Sequence, residues 1–179
     1  MIEQLSNFWI LLINSALFGF FTKLADLTDE HKIHFFRGDS FLFGILWGFF
    51  GAMVILGSPL LGSFYLAILF HWILRGKIDY FNHRLATLII LISFIWVFDG
   101  YVFDWFLFGS IFFVYSLFGL LRDNKKIKSN WFTNYNIYSY IVILIFVFSN
   151  TNYLIVLYSY ILNTFFYQAV KRVQKNGKK

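Results

Sequence analysis

Long apolar runs alternate with short polar segments along the whole chain. Helices and closed barrels are the structures that satisfy every backbone group in lipid, and uncharged runs of this length are typical of membrane helices. We therefore predict an all-α, polytopic membrane protein with about seven transmembrane helices. The predicted spans are 7–22, 41–56, 60–74, 85–98, 105–121, 138–148 and 153–170.

Several of these runs are short for a membrane crossing, which needs about 20 residues for a hydrocarbon core of about 30 Å. The runs 41–56 and 60–74 are separated by Gly57-Ser58-Pro59, a tripeptide that is typical of a tight turn. A re-entrant hairpin is therefore the alternative to two full crossings. The span count stays open between five and seven, and the alternation of faces is the same in either case.

The composition excludes an ordinary soluble domain, because 59% of the residues are hydrophobic and only 13% are charged. The spans leave little chain for a separate extramembrane domain. We predict a single helical transmembrane domain over 1–170 and a basic cytoplasmic tail over 171–179. The chain has no cysteine, which excludes disulfides and thiolate metal sites.

The 15 Lys and Arg residues fall into four groups, at 23–37, 75–84, 122–128 and 171–179. These groups occupy alternate loops and the carboxyl-terminal tail. Short loops retain Lys and Arg on the cytoplasmic side, so we predict a multi-pass protein of the cell membrane, with its amino terminus outside and its carboxyl terminus in the cytoplasm. The net charge of +6 then indicates anionic lipid headgroups as partners, rather than nucleic acid.

Two segments on the predicted cytoplasmic side, 23–39 and 71–84, hold nearly all the groups capable of catalysis. If the first segment is helical, Asp26, Glu30 and His34 share one face, because steps of four residues drift by only about 40°. In the second segment, polar residues also recur every four positions, and they share one face unless Gly76 ends the helix. We expect the two segments to lie close together at one membrane face.

These residue types indicate phosphate chemistry. Carboxylates are suitable ligands for Mg²⁺ or Mn²⁺, and phosphate oxygens and water complete the coordination of the ion. The guanidinium of Arg can donate two hydrogen bonds to one phosphate, in a bidentate contact. We hypothesise a phospholipid or polyprenyl-phosphate transferase that depends on a divalent metal. The predicted metal ligands are Asp26, Asp29, Glu30 and Asp79; the predicted phosphate ligands are Arg37, Arg75, Lys77 and Arg84; and His34 or His83 would move the proton.

Two other functions remain open. In a small transporter or channel, Asp99 and Asp104 on the opposite face would begin an ion path. In a non-catalytic scaffold, the clustered charges would be solvated pairs that are individually dispensable. The small residues Gly44, Gly48 and Gly51 lie on one helix face, so they predict either close packing inside the chain or the contact of a homo-oligomer.

Overall fold

A computed structural model of the 179-residue chain describes residues 2–124 and 136–176. Within these ranges every regular element is helical, which confirms the predicted all-α class. The α-helices are α1 (Ile2–Asp29), α2 (Asp39–Gly57), α3 (Pro59–Leu74), α4 (Phe81–Val97), α5 (Trp105–Asp123), α6 (Ile137–Ser149) and α7 (Leu154–Asn176), with a 3₁₀ turn at Thr151–Tyr153 before α7.

The membrane prediction is confirmed for part of the bundle. Four segments are long and apolar enough to cross a bilayer: Asn7–Asp29, Asp39–Gly57, Trp105–Asp123 and Thr151–Arg172. Helices α3, α4 and α6 are also apolar but have only 16, 17 and 13 residues. The count of seven crossings and the orientation of the termini stay predictions.

Contacts between helices fix their relative directions. Helices α1 and α2 are antiparallel, because the ring of Phe21 stacks on Phe50 at 5.4 Å while Asp29, at the end of α1, bonds Ser40 at the start of α2. Helices α1 and α7 are parallel, as are α2 with α4 and α3 with α5. We call the end with residues 23–39, 75–84, 122–124 and 171–176 the basic end, and the end with residues 57–59, 98–104 and 149–153 the distal end.

The glycine stripe of α2 packs inside the chain, against α4. A β-carbon on Gly44 would lie 3.0 Å from the Cα atom of Asn82, and one on Gly48 would lie 2.9 Å from the Cβ atom of Ile89. Real β-carbons almost never approach so closely, so larger residues would force the two helices apart. Close packing within the chain, one of the two predicted roles, is therefore what the structure shows for this stripe.

Apolar side chains cover the outside of the bundle as well as its core. Phe64 and Leu66 of α3 are completely buried, whereas the outward-facing Trp96 and Phe148 are each 88% exposed. A soluble monomer rarely exposes so much apolar surface, while a lipid bilayer covers it. The arrangement agrees with a bundle whose outer surface faces hydrocarbon.

Candidate ligand cavity at the basic end

A cavity of about 510 Å³ extends into the bundle from the basic end. Exposed side chains lie at its rim, among them Glu30, Lys77 and Asp79, and buried apolar side chains such as Phe18 and Ile55 line its inner wall. Glu30, which directly follows α1, lies twelve positions after Phe18, and this corresponds to a depth of about 18 Å at 1.5 Å per residue. The cavity therefore joins a charged rim to an apolar interior.

The two polar segments that the sequence singled out meet at this cavity. The Nε2 atom of His83 lies 3.3 Å from Oδ1 of Asp26. The backbone N–H of Asn82 donates to Oδ2 of Asp29 at 3.3 Å, and its side-chain amide donates to the carbonyl of Ala25 at 2.6 Å. The end of α1 is thus joined directly to the first turn of α4.

Asp26 is the centre of a buried polar cluster formed by three helices. Its Oδ2 atom accepts a hydrogen bond from the hydroxyl of Tyr167 on α7 at 2.7 Å and lies 3.4 Å from Nζ of Lys23 on α1. Lys23 is 3% exposed and Asp26 is 9% exposed. A buried carboxylate is costly unless it is paired, so Lys23, Tyr167 and His83 together stabilise its charged form.

The contacts of His83 favour a protonated ring beside Asp26. The Nδ1 atom lies 3.3 Å from the carbonyl oxygen of Lys77, which can only accept a hydrogen bond. With Nδ1 as the donor to that carbonyl, a neutral ring would turn the lone pair of Nε2 towards the carboxylate of Asp26. Protonation of Nε2 removes this repulsion and leaves an ion pair with Oδ1 that lacks hydrogen-bond geometry. Such a pair can act as a general acid or base.

A second polar cluster lies on the α3 and α5 side of the cavity. Arg75 donates to Asp123 through Nε at 2.8 Å and through Nη2 at 2.5 Å, and its Nη1 atom lies 3.1 Å from Nε2 of His71. The Nζ atom of Lys77 lies 3.7 Å from the same carboxylate of Asp123. The side chain of Arg75 is only 3% exposed, so its guanidinium is held in one orientation.

Six of the predicted site residues line the cavity: Asp26, Glu30, Arg75, Lys77, Asp79 and His83. Four do not: Asp29, His34, Arg37 and Arg84. Asp29 is engaged in joining helices, because it accepts from Ser40 at 2.7 Å in addition to Asn82. The guanidinium of Arg84 donates instead to the carbonyl of Asp79 at 2.9 Å and stays exposed. Arg37 is exposed in the connection before α2.

The expected helical register of His34 with Asp26 is wrong. Helix α1 ends at Asp29, and Lys32 has a positive φ of 56°, which breaks the helical path. The imidazole of His34 lies 3.1 Å from Asp39 at the start of α2. The second segment is also interrupted, because α3 ends at Leu74 and Gly76 has a φ of 62°. His83 reaches the cavity from the next helix instead.

The predicted set of metal ligands is not assembled as the sequence suggested. Within 2–124 and 136–176, no group of three or more His, Asp or Glu side chains is arranged to hold a metal ion. Asp29 lies outside the cavity lining, whereas Asp26, Glu30 and Asp79 line it. A divalent metal therefore stays a prediction for these three carboxylates.

Sequence reasoning missed the contribution of α7. One face of this helix lines the cavity with polar side chains at helical spacing, and a search for polar periodicity within the last apolar span would have found them. The helix continues through the start of the predicted tail, so the stripe ends in a basic residue of that tail. The stripe consists of Tyr160, Asn163, Thr164, Tyr167, Gln168 and Lys171.

At the distal end, Asp104, one of the two acidic residues considered for an ion path, has a structural role. The Oδ1 atom of Asp104 accepts from the backbone N–H of Leu107 and caps α5, and its Oδ2 atom accepts from the hydroxyl of Tyr153 at 2.6 Å. Its own N–H donates to Ser63 at 2.9 Å. Helix capping and the contact with Tyr153 explain this residue without an ion.

Comparisons with protein-family models, with curated proteins and with solved structures found no match for this chain. No site residue and no substrate is therefore carried over from another protein. The features that indicate a function are the cavity, its two charged clusters and the apolar helices that surround them.

Proposed function

We propose that this membrane protein binds a phosphorylated amphiphile in the cavity, with the phosphate at the basic end and the apolar part inside the bundle. The basic end faces the cytoplasm in this proposal, as the distribution of Lys and Arg indicates. The observation that carries the proposal is the continuity of a charged rim with a buried apolar wall in one cavity. A ligand that fills it must combine both characters.

The charges at the cavity favour an anion. Four basic side chains line it, Arg75, Lys77, Arg122 and Lys171, against three acidic ones, Asp26, Glu30 and Asp79. The buried Lys23 further compensates Asp26. Asp123 offsets part of this charge, because it accepts from Nε and Nη2 of Arg75 and lies 3.7 Å from Nζ of Lys77. It also holds the guanidinium of Arg75 in one orientation, so the N–H groups that Asp123 leaves unused are preorganised for a phosphate group.

The interior of the cavity favours an apolar chain. Phe18, Ile55, Ile68, Leu69 and Ile90 contribute to its lining. Apolar surface that leaves water contributes about 25 cal/mol per Å², so a chain lying against these side chains would add several kcal/mol to binding. The depth of about 18 Å along α1 is sufficient for a medium-length alkyl or prenyl chain.

The Asp26–His83 pair gives this cavity a group that can move a proton. In a transfer reaction, an acceptor hydroxyl would lose its proton to this pair as its oxygen forms a bond to the transferred phosphoryl or prenyl group. The bond to the leaving group would break in the same step. Positioning and charge stabilisation would supply most of the rate. Because Asp26, Glu30 and Asp79 are not arranged around one ion, Mg²⁺ or Mn²⁺ would be held by one or two of them together with the phosphate.

The binding proposal is tested with purified protein in detergent, by comparing farnesyl phosphate with farnesol. Wild type should bind the phosphate more tightly than the alcohol. Arg75→Gln should weaken binding of the phosphate by roughly 10-fold to 100-fold, because hydrogen bonds to charged groups contribute about 1.5–3 kcal/mol. Arg84→Gln is the matched control, since Arg84 is exposed and lies outside the cavity lining.

Equal affinities for phosphate and alcohol in wild type would contradict the proposal. So would equal losses in the two Arg variants, because those would indicate a general effect of surface charge. Thermal unfolding of each variant shows whether it is folded. If Arg75→Gln is not folded, it is replaced by Arg75→Lys, which retains the charge.

The metal is tested separately, by measuring binding of Mn²⁺ with electron paramagnetic resonance in the presence and absence of farnesyl phosphate. Unchanged binding of Mn²⁺ in Asp26→Asn and Asp79→Asn would exclude those two residues as ligands.

A further inference from the structure

A chain of three hydroxyl groups crosses the interior of the bundle beside the cavity. The hydroxyl of Tyr65 on α3 lies 2.9 Å from that of Ser159 on α7, which lies 2.6 Å from that of Ser15 on α1. The hydroxyl of Ser15 donates to the carbonyl of Leu11 at 2.7 Å. Ser15 and Ser159 are completely buried.

The direction of every hydrogen bond in this chain is fixed by its last member. A carbonyl oxygen can only accept, so the single proton of Ser15 is used on Leu11. Ser159 must then donate to Ser15, and Tyr65 must donate to Ser159. The phenol of Tyr65 therefore has no proton left for a ligand, and its oxygen can offer the cavity only an acceptor.

Tyr65 belongs to a polar patch on the otherwise apolar inner wall of the cavity. It lines the cavity together with Tyr115 and Tyr160, whose hydroxyls lie 2.8 Å apart, and with Asn163 of α7. An unsubstituted alkyl chain in this region would face these polar groups without offering them a hydrogen bond. These groups already have partners within the bundle, so such a chain leaves no donor unpaired. The oxygen of Tyr65 can still accept one more hydrogen bond, so a ligand hydroxyl that donates to it would be preferred over an alkyl chain.

We infer that the ligand is an amphiphilic phosphate that carries a hydroxyl group in its apolar part, and that Tyr65 recognises this hydroxyl by accepting its proton. The inference rests on the proposed function. Tyr65 lies ten positions before Arg75, the residue that follows α3, so the hydroxyl would lie about 15 Å from the phosphate. This distance corresponds to a substituent near the far end of a medium-length chain.

The test compares two probes that differ only at the far end of the chain, dodecyl phosphate and ω-hydroxydodecyl phosphate. Wild type should bind the hydroxylated probe about 5-fold to 10-fold more tightly, because one net hydrogen bond contributes about 1 kcal/mol. Tyr65→Phe should lose this preference and keep its affinity for dodecyl phosphate. Tyr153→Phe is the matched control, since it removes a partly buried hydroxyl contact at the distal end and should keep the preference.

A second variant keeps the inference falsifiable if Tyr65→Phe does not fold. Ser159→Ala removes the acceptor of the Tyr65 proton and frees that proton for a ligand. Wild type should reject ω-methoxydodecyl phosphate, which can only accept, and Ser159→Ala should bind it several-fold more tightly than wild type does. No gain in Ser159→Ala, or a hydroxyl preference that persists in Tyr65→Phe, would overturn the inference.

The two proposals fail in different ways. If wild type binds both dodecyl phosphates equally, the inference about the hydroxyl is wrong and the proposed function stands. If wild type binds neither of them and does not bind farnesyl phosphate, the proposed function itself is wrong.

Discussion

The two ends of the bundle each hold an aspartate that accepts a hydrogen bond from a tyrosine on α7 or the turn before it. At the distal end Tyr153 donates to Asp104 at 2.6 Å, and at the basic end Tyr167 donates to Asp26 at 2.7 Å. The second oxygen of Asp104 caps α5, whereas that of Asp26 faces His83 at the cavity. The difference shows that the surroundings of a carboxylate, rather than the tyrosine contact, separate a structural aspartate from a candidate functional one.

The largest effect is expected at the contact between α2 and α4, because both helices run from one end of the bundle towards the other. Gly48→Leu should unfold the protein or lower its free energy of unfolding by about 3 kcal/mol or more, because the new side chain must displace α4. Gly109→Leu on α5 is the control, since a β-carbon there has open space around it. Tryptophan fluorescence during thermal unfolding in detergent measures both. A normal unfolding temperature for Gly48→Leu would contradict the described packing of α2 on α4.

Asp26→Asn should have the next largest effect, because it leaves Lys23 buried without its charged partner. Loss of one member of a buried pair lowers the free energy of unfolding by about 3 kcal/mol. Binding of farnesyl phosphate should change as well, since Asp26 lines the cavity. The double variant Lys23→Met, Asp26→Asn should recover part of the stability, and a double variant no more stable than the single one would argue against this pairing.

Asp104→Ala should affect stability alone. The helix cap and the bond from Tyr153 each contribute about 1 kcal/mol, so the free energy of unfolding should fall by about 2 kcal/mol. Affinity for farnesyl phosphate should equal that of wild type, because the residue lies at the other end of the bundle. A loss of affinity without a loss of stability would reverse the roles that we assign to the two ends.

Tyr101→Phe should have the smallest effect. The hydroxyl of Tyr101, in the connection before α5, donates to the carbonyl of Ile55 at 2.5 Å and to that of Ser58 at 3.0 Å, so its loss should lower the free energy of unfolding by about 1 kcal/mol. Burial raises the pKa of Tyr101 to about 12. The neutral phenol is therefore favoured in the folded state, and its contribution should be complete below about pH 10 and be lost as the pH rises towards 12.

This pH dependence is measured by following the unfolding temperature of wild type and Tyr101→Phe between neutral and alkaline pH. The difference between the two proteins should shrink above about pH 10. A difference that does not depend on pH would show that the hydroxyl contributes only through packing. Binding of farnesyl phosphate serves as the control and should be the same in both proteins.

The sequence predicted the helices well because their apolar character is continuous and each is bounded by polar or turn residues. It also indicated that residues 23–39 and 71–84 would meet, which the contact of His83 with Asp26 shows. It could not separate Arg75 from Arg84. Both are basic residues near the ends of short helices, and only the position of Asp123 and the direction of α4 hold one at the cavity and the other outside.

Composition and the alternation of apolar and basic segments by themselves determined that this chain is a helical membrane protein with its polar chemistry gathered at one end. These properties are local, since each depends on how a run of residues behaves in lipid or water. Tertiary structure decided which carboxylates cap helices, which line the cavity, and that α7 contributes polar side chains to the cavity. Those outcomes depend on distances between residues far apart in the chain, which the packing of the helices sets.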